Sequence, residues 1–352
     1  SHTEDAMSRL INGIDLDGLA SHSQVKEYPP VVKGRTVHVD GDFLAYQCSW
    51  EPVDDPKTLD DIKNNVSEAL AVLKGFSAAE FATIHLTPKQ SDKGKRYEIA
   101  LLKEYQGNRE DKVKPRWLDL CREHMHQDLG AILHLDCEAD DGMASMQYKA
   151  IAEGRENLSI IATKDKDLRM VPGLHLQWDL GTIVKTDPWG SITVDSGKVR
   201  GYGTKFFWSQ VLTGDTADNI SGLQWVMPNF LNVIDKTQAI QKALDKLKED
   251  PTHKKSLEVL NERRPKPCGP VMAEKILAGV KNDSEAFAVC KALYKAQAEQ
   301  GYPFLDWRDP SKEVPYGEAL LSEMQLLWMR RVKNDPLDVV HWLQGQQQKV
   351  AA

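Results

Sequence analysis

Acidic residues recur in short groups along the chain, and each group follows an apolar stretch. The groups are Asp40 and Asp42, then Glu138, Asp140 and Asp141, then Asp165 and Asp167, then Asp215 and Asp218. Carboxylate oxygens are the ligands that hard divalent cations prefer. If the groups share one crevice, two carboxylates about 4 Å apart repel each other by roughly 4 kcal/mol at an effective dielectric constant near 20. Bound divalent cations would offset this repulsion, so the pattern predicts a metal centre.

The apolar stretches ahead of the first three groups are short and rich in branched side chains. They cover residues 36–39, 131–135 and 158–162, and they are typical of buried strands in a parallel sheet. Ligands of such sheets bind at the carboxyl ends of the strands. We therefore expect the sheet to bring the acidic groups together at one edge.

The segments between these strands complete an alternating pattern of strands and helices. We predict a strand at 81–86, helices near 62–75, 116–129 and 140–153, and a hairpin over 174–194 that turns at 187–190. From residue 205 the apolar spacing becomes mostly helical. The sequence thus predicts an α/β core over 31–222 and a helical region over 223–352, with an insertion at about 225–265.

Composition and charge indicate the environment and the partners to expect. The net charge is −7, but the nine clustered acids outweigh this excess, so the rest of the chain is slightly basic. Two stretches, 89–116 and 231–266, are locally basic and could bind a polyanion, although a solvated surface is the more ordinary explanation. No apolar run approaches the roughly 20 residues that span a bilayer. The N-terminus lacks a secretory pattern and the five cysteines form no CxxC pair, which favours a soluble protein of the reduced cytoplasm.

Some of the acidic groups also have simpler structural interpretations. The pair at 40–42 could be a turn, and the pair at 215–218 could cap a helix. A calcium loop that begins at Asp165 is excluded, because such a loop needs Gly and Glu where Met170 and Leu176 stand.

Considered together, five motifs resemble those of one known family, the 5'-nucleases. In chain order they are Val39-Asp-Gly-Asp-Phe-Leu44, Glu104-Tyr-Gln-Gly-Asn-Arg109, Glu138-Ala-Asp-Asp141, Ala162-Thr-Lys-Asp-Lys-Asp167 and Gly214-Asp-Thr-Ala-Asp-Asn-Ile-Ser-Gly222. Over about residues 36–280 the chain is similar to flap endonucleases and 5'-to-3' exonucleases, and most similar to the compact bacteriophage exonucleases. The resemblance implies a PIN-like parallel central sheet that is flanked by helices.

The resemblance also implies roles for the residues of these motifs. Two divalent ions, Mg²⁺ or Mn²⁺, would serve phosphodiester cleavage. One ion would be held, directly or through water, by Asp40, Glu138, Asp140 and Asp141, and the other by Asp165, Asp167, Asp215 and Asp218, with Asp42 as an additional acid. Catalysis would involve Asp40, Arg109, Asp140 and Asp165 directly. Substrate contacts are expected from Lys93, Lys95, Arg96, Lys103, Tyr105, Gln106 and Arg109.

The chain departs from the family at two places that face the substrate. The second strand of the family normally ends in an Asp of the metal shell, whereas this chain has Thr87, and the nearest acid is Asp92. A Lys of the family that usually reaches the scissile phosphate is replaced by Gln106. The missing cation could come from Lys93, Lys95, Arg96 or Lys103.

A third departure concerns the helix-three-turn-helix element that binds duplex backbone in the family, often with K⁺. Here residues 221–223 resemble its beginning and 267–277 its completion, with about forty residues between them. Backbone amides near Gly269 and the ammonium of Lys275 would contact phosphate. The insertion could extend this contact, but a packed helix pair is the favoured interpretation.

The expected function is therefore metal-dependent 5'-to-3' exonuclease or flap endonuclease activity. The substrate would be duplex DNA with a 5' end or flap, or RNA of an RNA/DNA hybrid, and the enzyme would act as a monomer without a membrane. A haloacid-dehalogenase-like phosphatase is the first alternative, which Leu44 and the helical pattern before Asp215 disfavour. A non-catalytic DNA-binding protein derived from a nuclease is the second alternative, suggested by Gln106 and Asp92.

Overall fold

A computed structural model describes residues 10–11, 14–15, 27–224, 233–262 and 266–352 of the chain. Its strands are β1 (Leu10–Ile11), β2 (Ile14–Asp15), β3 (Val32–Asp40), β4 (Ala79–Leu86), β5 (Ile132–Leu133), β6 (Ser159–Thr163), β7 (Gly173–Gln177), β8 (Thr182–Thr186), β9 (Ser191–Asp195), β10 (Lys198–Tyr202), β11 (Phe304–Leu305) and β12 (Glu313–Val314). Its α-helices are α1 (Gly41–Ser49), α2 (Leu59–Phe76), α3 (Arg96–Ile99), α4 (Leu118–Gln127), α5 (Ala139–Ala152), α6 (Thr204–Thr213), α7 (Val233–Glu249), α8 (Lys254–Glu262), α9 (Pro270–Leu277), α10 (Asp283–Glu299), α11 (Tyr316–Leu327) and α12 (Asp338–Ala351). Short 3₁₀ helices cover Lys93–Lys95, Glu156–Leu158 and Lys166–Met170.

The centre of the fold is a six-stranded sheet in the order β5-β4-β3-β6-β7-β8. The first five strands of that order pair in parallel, and β8 pairs antiparallel with β7. Asp40 lies opposite His85 and Val39 opposite Ala162, so the carboxyl ends of β3, β4 and β6 lie side by side. The predicted parallel sheet flanked by helices is confirmed, while the antiparallel edge strand was not predicted.

The predicted hairpin over 174–194 is wrong in the position of its turn. Strands β7 and β8 form one hairpin and β9 and β10 form another, so residues 187–190 connect the two hairpins. The backbone carbonyls of Pro188 and Trp189 accept hydrogen bonds at 2.9 Å from the amides of Thr204 and Lys205. The first amides of a helix lack partners within the helix. The Asp-Pro-Trp-Gly segment therefore satisfies the start of α6 instead of closing a hairpin.

Apolar side chains form two clusters. One contains Val37, Val39 and Ile84 of the sheet together with residues of α2 and α4. The other joins Met143 and other residues of the α/β region to the C-terminal helices, including Trp328 of the loop after α11. This second cluster holds residues from both sides of 222, and the domain boundary at that position stays a prediction.

The predicted insertion at 225–265 falls partly outside the described residues. Within its described part, α7 and α8 pack against each other, as expected for a helix pair. Residues 225–232 and 263–265 lie outside the described ranges. None of the described helices has both the length and the apolar character needed to cross a membrane.

Candidate active site

The carboxyl edge of the sheet fixes Asp40 at the bottom of a cleft of about 690 Å³. Asp40 is the last residue of β3, and its side chain accepts a hydrogen bond from the amide of Phe43 at 3.1 Å. The hydroxyl of Thr163, at the end of β6, donates to Asp40 Oδ2 at 2.9 Å. Gly41 allows this close passage, because a Cβ there would lie 2.5 Å from the carbonyl oxygen of His85.

Asp42 lies in the first turn of α1, and its side chain reaches Thr87, the residue after β4, where the chain lacks the acid of the family pattern. The amide of Thr87 donates to both carboxylate oxygens of Asp42 at 3.1 Å. Arg122 of α4 forms an ion pair with Asp42 at 2.5 Å and donates to the carbonyl of Thr87 at 2.6 Å. Both Asp42 and Arg122 line the cleft. Arg122 is the only Lys or Arg of α4, but no local pattern indicates that it lies opposite Asp42.

The group at 138–141 divides between the cleft and the protein interior. Glu138 and Asp140 line the cleft, and the hydroxyl of Tyr105 donates to Glu138 at 3.1 Å. The two oxygens of Asp141 instead accept from the guanidinium of Arg96 at 2.6 and 2.8 Å. Asp141 and Arg96 are both fully buried.

This ion pair corrects two of the sequence assignments. Asp141 is not directed into the cleft as a metal ligand, because its oxygens are committed to Arg96 and to the amides of Glu138 and Arg330. Burial would raise the pKa of Asp141, but the charge and hydrogen bonds of Arg96, the charge of Arg330 and the amide of Glu138 together outweigh burial, so the pKa is lowered. Arg96 has no exposed surface, so it cannot contact DNA in this conformation.

The remaining acids come from two loops. Asp165 and Asp167 lie at the start of the 3₁₀ helix after β6, and Asp165 accepts from the amide of Asp167 at 2.9 Å. Asp215 and Asp218 follow α6 in a loop closed by an antiparallel bridge between Asp215 and Ile220. Asp167, Asp215 and Asp218 each place one oxygen within 4.8 Å of the others, as a shared cation would require. A helix precedes Asp215, which contradicts the strand expected for the phosphatase alternative.

Two contacts test whether a cation fits this trio of acids. The ammonium of Lys166 lies 2.9 Å from Asp215 and 3.9 Å from Asp167. Nevertheless Asp215 Oδ2 is buried and has no hydrogen-bond partner within the described part of the chain. A buried carboxylate oxygen without a partner is costly, and a divalent cation with oxygen ligands would satisfy it. The acid trio therefore fits a divalent cation.

The crowding of acids changes how they hold protons. Burial, with repulsion from Asp42 and Asp165, raises the pKa of Asp40 to about 7. Burial also raises the pKa of Glu138 to about 7, although Arg96 opposes this. The pKa values of Asp140, Asp167 and Asp218 are likewise raised, by burial first and then by neighbouring acids. Without a cation, the cluster would retain protons near neutral pH.

We expect Mg²⁺ to raise the melting temperature at both pH values, and we expect this rise to be about 3 °C larger at pH 8 than at pH 5.5. Because the pKa values of Asp40 and Glu138 are raised to about 7, their contribution to stability is present below about pH 4 and is lost as the pH rises to 7. A cation restores that stability, so its effect grows with pH. Differential scanning fluorimetry with 10 mM Mg²⁺ or with chelator measures the difference.

The difference between the melting temperatures with Mg²⁺ and with chelator, taken at each pH, is free of the effect of buried histidines that titrate. Burial lowers the pKa of His38 and His134 to about 4, so their contribution is present above pH 6.5 and lost as the pH falls. This loss is common to both samples. Glu323, buried outside the cleft with a pKa raised to about 8, provides a control, since Glu323→Gln should leave the Mg²⁺ increment unchanged. An increment that is equal at both pH values would contradict a carboxylate cation site.

The predicted substrate-binding residues divide between the cleft and its outer surface. Lys93, Gln106 and Arg109 line the cleft, and Arg109 pairs with Asp218 at 2.8 Å. Tyr105 is 2% exposed and holds Glu138, so it acts beneath the surface. The others lie elsewhere: Lys95 pairs with Asp92 at 3.3 Å, Lys103 is exposed, and Gly269 and Lys275 belong to the start and last turn of α9.

Asp92 does not line the cleft. Its carboxylate accepts from the amide of Gly94 at 2.8 Å and caps the 3₁₀ helix that carries Lys93. Asp92 therefore stabilises the segment that carries Lys93, and it is not one of the acids that face the cleft.

The two halves of the split turn meet in the structure. The amide of Cys268 donates to the carbonyl of Leu223 at 2.9 Å, although the two residues are far apart in sequence. Gly269 then begins α9, with Pro270 in its first turn. On the other side, the amide of Gly222 donates to Glu323 at 3.0 Å. The arrangement brings the start of α9 beside the loop after α6, and its role in binding DNA stays a prediction.

Comparison with known proteins gives similarity at the level of solved structures. Neither a protein-family model nor a curated protein matches the sequence. The D15 protein of bacteriophage T5, crystallised with metal ions, is 16% identical with a TM-score of 0.36, over 74% of this chain and 99% of that one. The D15 flap endonuclease of the same phage, in a pseudo-enzyme-product complex with DNA and metal ions, is 16% identical with a TM-score of 0.37, over 83% and 99%. A mutant T5 5'-exonuclease is 16% identical with a TM-score of 0.34, over 74% and 98%.

Proposed function

We propose that the chain is a divalent-metal-dependent 5'-nuclease that hydrolyses phosphodiester bonds of DNA. The observation that carries the proposal is one open cleft with an acidic floor and basic walls. Its acids include Asp40, Asp42, Glu138, Asp140, Asp165, Asp167 and Asp218, and its cations are Lys89, Lys93, Arg109, Lys114, Arg122 and Lys164. Bound cations would neutralise the floor and favour entry of a polyanion, and the basic walls would then contact its phosphates.

The acids of the floor, together with the buried Asp215 beside them, would hold two ions in two sets. Asp40, Glu138 and Asp140 would hold one, and Asp167, Asp215 and Asp218 the other, with Asp165 between the sets. When bound, such ions activate water and stabilise charge on the phosphate and the leaving oxygen. The chain itself orients the ligands: Thr163 holds Asp40, Tyr105 holds Glu138 and Gln210 donates to Asp167 at 2.9 Å.

Lys93 would supply the cation that the family places at the position of Gln106. Its ammonium lies 2.6 Å from Gln106 Oε1, so it reaches the place where that cation would end. Arg109 and Arg122 on the same walls are paired with carboxylates. Lys93 instead contacts a neutral amide and lies 5.5 Å from the ring centroid of Tyr97. Its charge is therefore available to a phosphate.

Lys93→Gln is expected to lower kcat/KM for a flap substrate by about 100-fold, equivalent to about 2.7 kcal/mol. The reason is loss of a charge-assisted contact to the phosphate in a partly dry cleft. Lys95→Gln is the matched control, because Lys95 lies on the same 3₁₀ helix but pairs with Asp92 outside the cleft. Single-turnover cleavage with excess enzyme measures both variants. Equal losses in the two would exclude a specific role of Lys93.

A direct test uses 5'-labelled substrates that differ at their 5' ends. Blunt, recessed and flapped DNA duplexes, and a hybrid with a 5' RNA strand, are incubated with Mg²⁺, with Mn²⁺ or with chelator. We expect metal-dependent release of short 5' products from at least one DNA substrate. Binding without cleavage under every metal condition would favour the non-catalytic DNA-binding alternative, and hydrolysis confined to aryl phosphates would favour the phosphatase.

The finer features of the proposal concern partners and environment. The start of α9 and the loop after α6 would contact the duplex backbone, with K⁺ as a further candidate ligand of the turn. We further propose a monomer in a reduced cytoplasm, in agreement with five buried free thiols. Sedimentation of the protein with and without a flap duplex tests the stoichiometry, for which we expect one chain per duplex.

A further inference from the structure

A second, smaller cavity adjoins the cleft. Its volume is about 230 Å³, and it shares Lys164 and Asp165 with the lining of the cleft. The carboxyl-terminal residues of β6 and β7 and the residues that follow them form its walls, together with Arg169 of the 3₁₀ helix and Tyr202 at the end of β10. A polymeric ligand that reaches Asp165 in the cleft could therefore continue into this cavity.

The charges around the small cavity leave one cation without a partner. Lys164 is neutralised by Asp179 at 2.7 Å, and Asp165 belongs to the acidic floor of the cleft. Arg169 forms no ion pair with any carboxylate in the described ranges of the chain. Burial lowers the pKa of the neighbouring His175 to about 4, so that ring is neutral at physiological pH. With cations bound to the floor, the cavity would carry one uncompensated positive charge.

The guanidinium of Arg169 lies near two aromatic rings. It lies 6.0 Å from the ring centroid of Tyr202 and 5.9 Å from that of Phe206. The carbonyl of Arg169 also accepts from the amide of Gly203 at 2.8 Å, which ties its backbone to the end of β10. A guanidinium whose neighbours are aromatic rings keeps its N–H groups free for a ligand, and its fork geometry matches phosphate oxygens.

The walls favour a phosphate over a nucleotide base. Trp178 is only 3% exposed, so it offers no open face for stacking. The ring of Tyr202 already faces Arg169. An anion is therefore the ligand class that the cavity can take.

We propose that Arg169 binds a phosphodiester of the cleaved strand, next to the bond that lies among the acids of the cleft. This inference rests on the proposed nuclease function. It assigns the small cavity as a phosphate subsite and Arg169 as its substrate-positioning residue.

The test measures which phosphate Arg169 contacts. A set of flap substrates each carries one neutral methylphosphonate within three nucleotides on either side of the cut, and single-turnover cleavage is measured with Mg²⁺. For the wild-type chain we expect one linkage beside the cut to lower kcat/KM about tenfold when neutral. Arg169→Gln should lower kcat/KM about tenfold on the natural substrate. The methylphosphonate at that linkage should then lower kcat/KM of this variant by no more than a further twofold, because the contact is already absent.

Two further variants separate binding from folding. Arg169→Lys retains the charge but not the fork geometry, so it should recover part of the rate and part of the methylphosphonate penalty. Return of the methylphosphonate penalty is the readout that a purely structural ring contact would not give. Arg155→Gln is the control, since Arg155 precedes β6 at the opposite edge of the sheet and pairs with Glu153. It should match the wild type on every substrate. The melting temperature of each variant identifies any loss of folding.

The outcomes for the two proposals differ. If the wild-type chain cleaves no substrate with Mg²⁺ or Mn²⁺, the nuclease proposal fails and this inference fails with it. If the wild type cleaves but Arg169→Gln shows the wild-type methylphosphonate profile, only the phosphate subsite is overturned.

Discussion

Asp165→Asn is expected to lower the rate of metal-dependent cleavage by about a thousandfold, equivalent to about 4 kcal/mol. Asp165 lies between the two sets of acids, because it borders Asp140 and Asp40 on one side and Asp167 on the other. An amide oxygen there keeps the size of the side chain but removes one negative charge from both sets. Cations would then be held less tightly and placed less accurately for water activation.

Binding of DNA should respond in the opposite direction. Removal of a negative charge from the floor reduces repulsion of phosphate, so in chelator Asp165→Asn should bind a flap duplex as tightly as the wild type or more tightly. Fluorescence anisotropy for binding and single-turnover cleavage for rate measure the two effects on the same substrate. A decrease in both would instead indicate that the substitution disturbs the fold.

Asp119→Asn is the matched control for this experiment. Asp119 also lines the cleft, but it is exposed at the rim and pairs weakly with Lys89 at 3.7 Å. The same chemical change there should leave the cleavage rate within about twofold of the wild type. A comparable loss in both variants would show that any acid of the cleft matters only through overall charge, and it would remove the special position assigned to Asp165.

The sequence predicts the floor of the cleft well because its determinants are local. Branched apolar runs specify the strands β3 and β6, and the acids that follow each run then lie at the carboxyl edge whatever the remainder of the chain does. Asp40 and Asp165 reach the cleft for this reason. The residues of β8 lie within the predicted hairpin, but its antiparallel pairing with β7 was missed, because that pairing depends on the neighbouring strand and not on the pattern of β8 itself.

The walls of the cleft are harder to predict, since they depend on which charges meet across long separations. Asp42 pairs with Arg122, 80 residues away, and no local pattern selects that partner. Lys93 and Lys95 are equivalent in sequence, yet only Lys93 lines the cleft. Helix geometry alone could have separated Asp140 from Asp141, because consecutive residues of an α-helix point about 100° apart and only one can face the cleft.

Arg96→Met is expected to lower the free energy of unfolding by about 4 kcal/mol and to leave phosphate contacts in the cleft intact. Arg96 is fully buried, pairs with Asp141 through two hydrogen bonds and lies 3.0 Å from Glu138. It also donates to the carbonyls of Leu326 and Trp328, which join the segment before the cleft to the C-terminal helices. Its removal would leave the charge of Asp141 buried without a partner.

Urea unfolding measures this loss, and two further variants give it meaning. Arg116→Met removes a similar two-bonded pair with Glu51 that is exposed to solvent, so the unfolding midpoint should stay close to the wild-type value. The double variant Arg96→Met with Asp141→Leu should lose less than the two single changes together, because no charge is left unpaired. If Arg96→Met instead keeps full stability but weakens DNA binding, Arg96 is a substrate contact that swings out of the interior. The sequence-based assignment would then be right, and the buried pair would describe only the free enzyme.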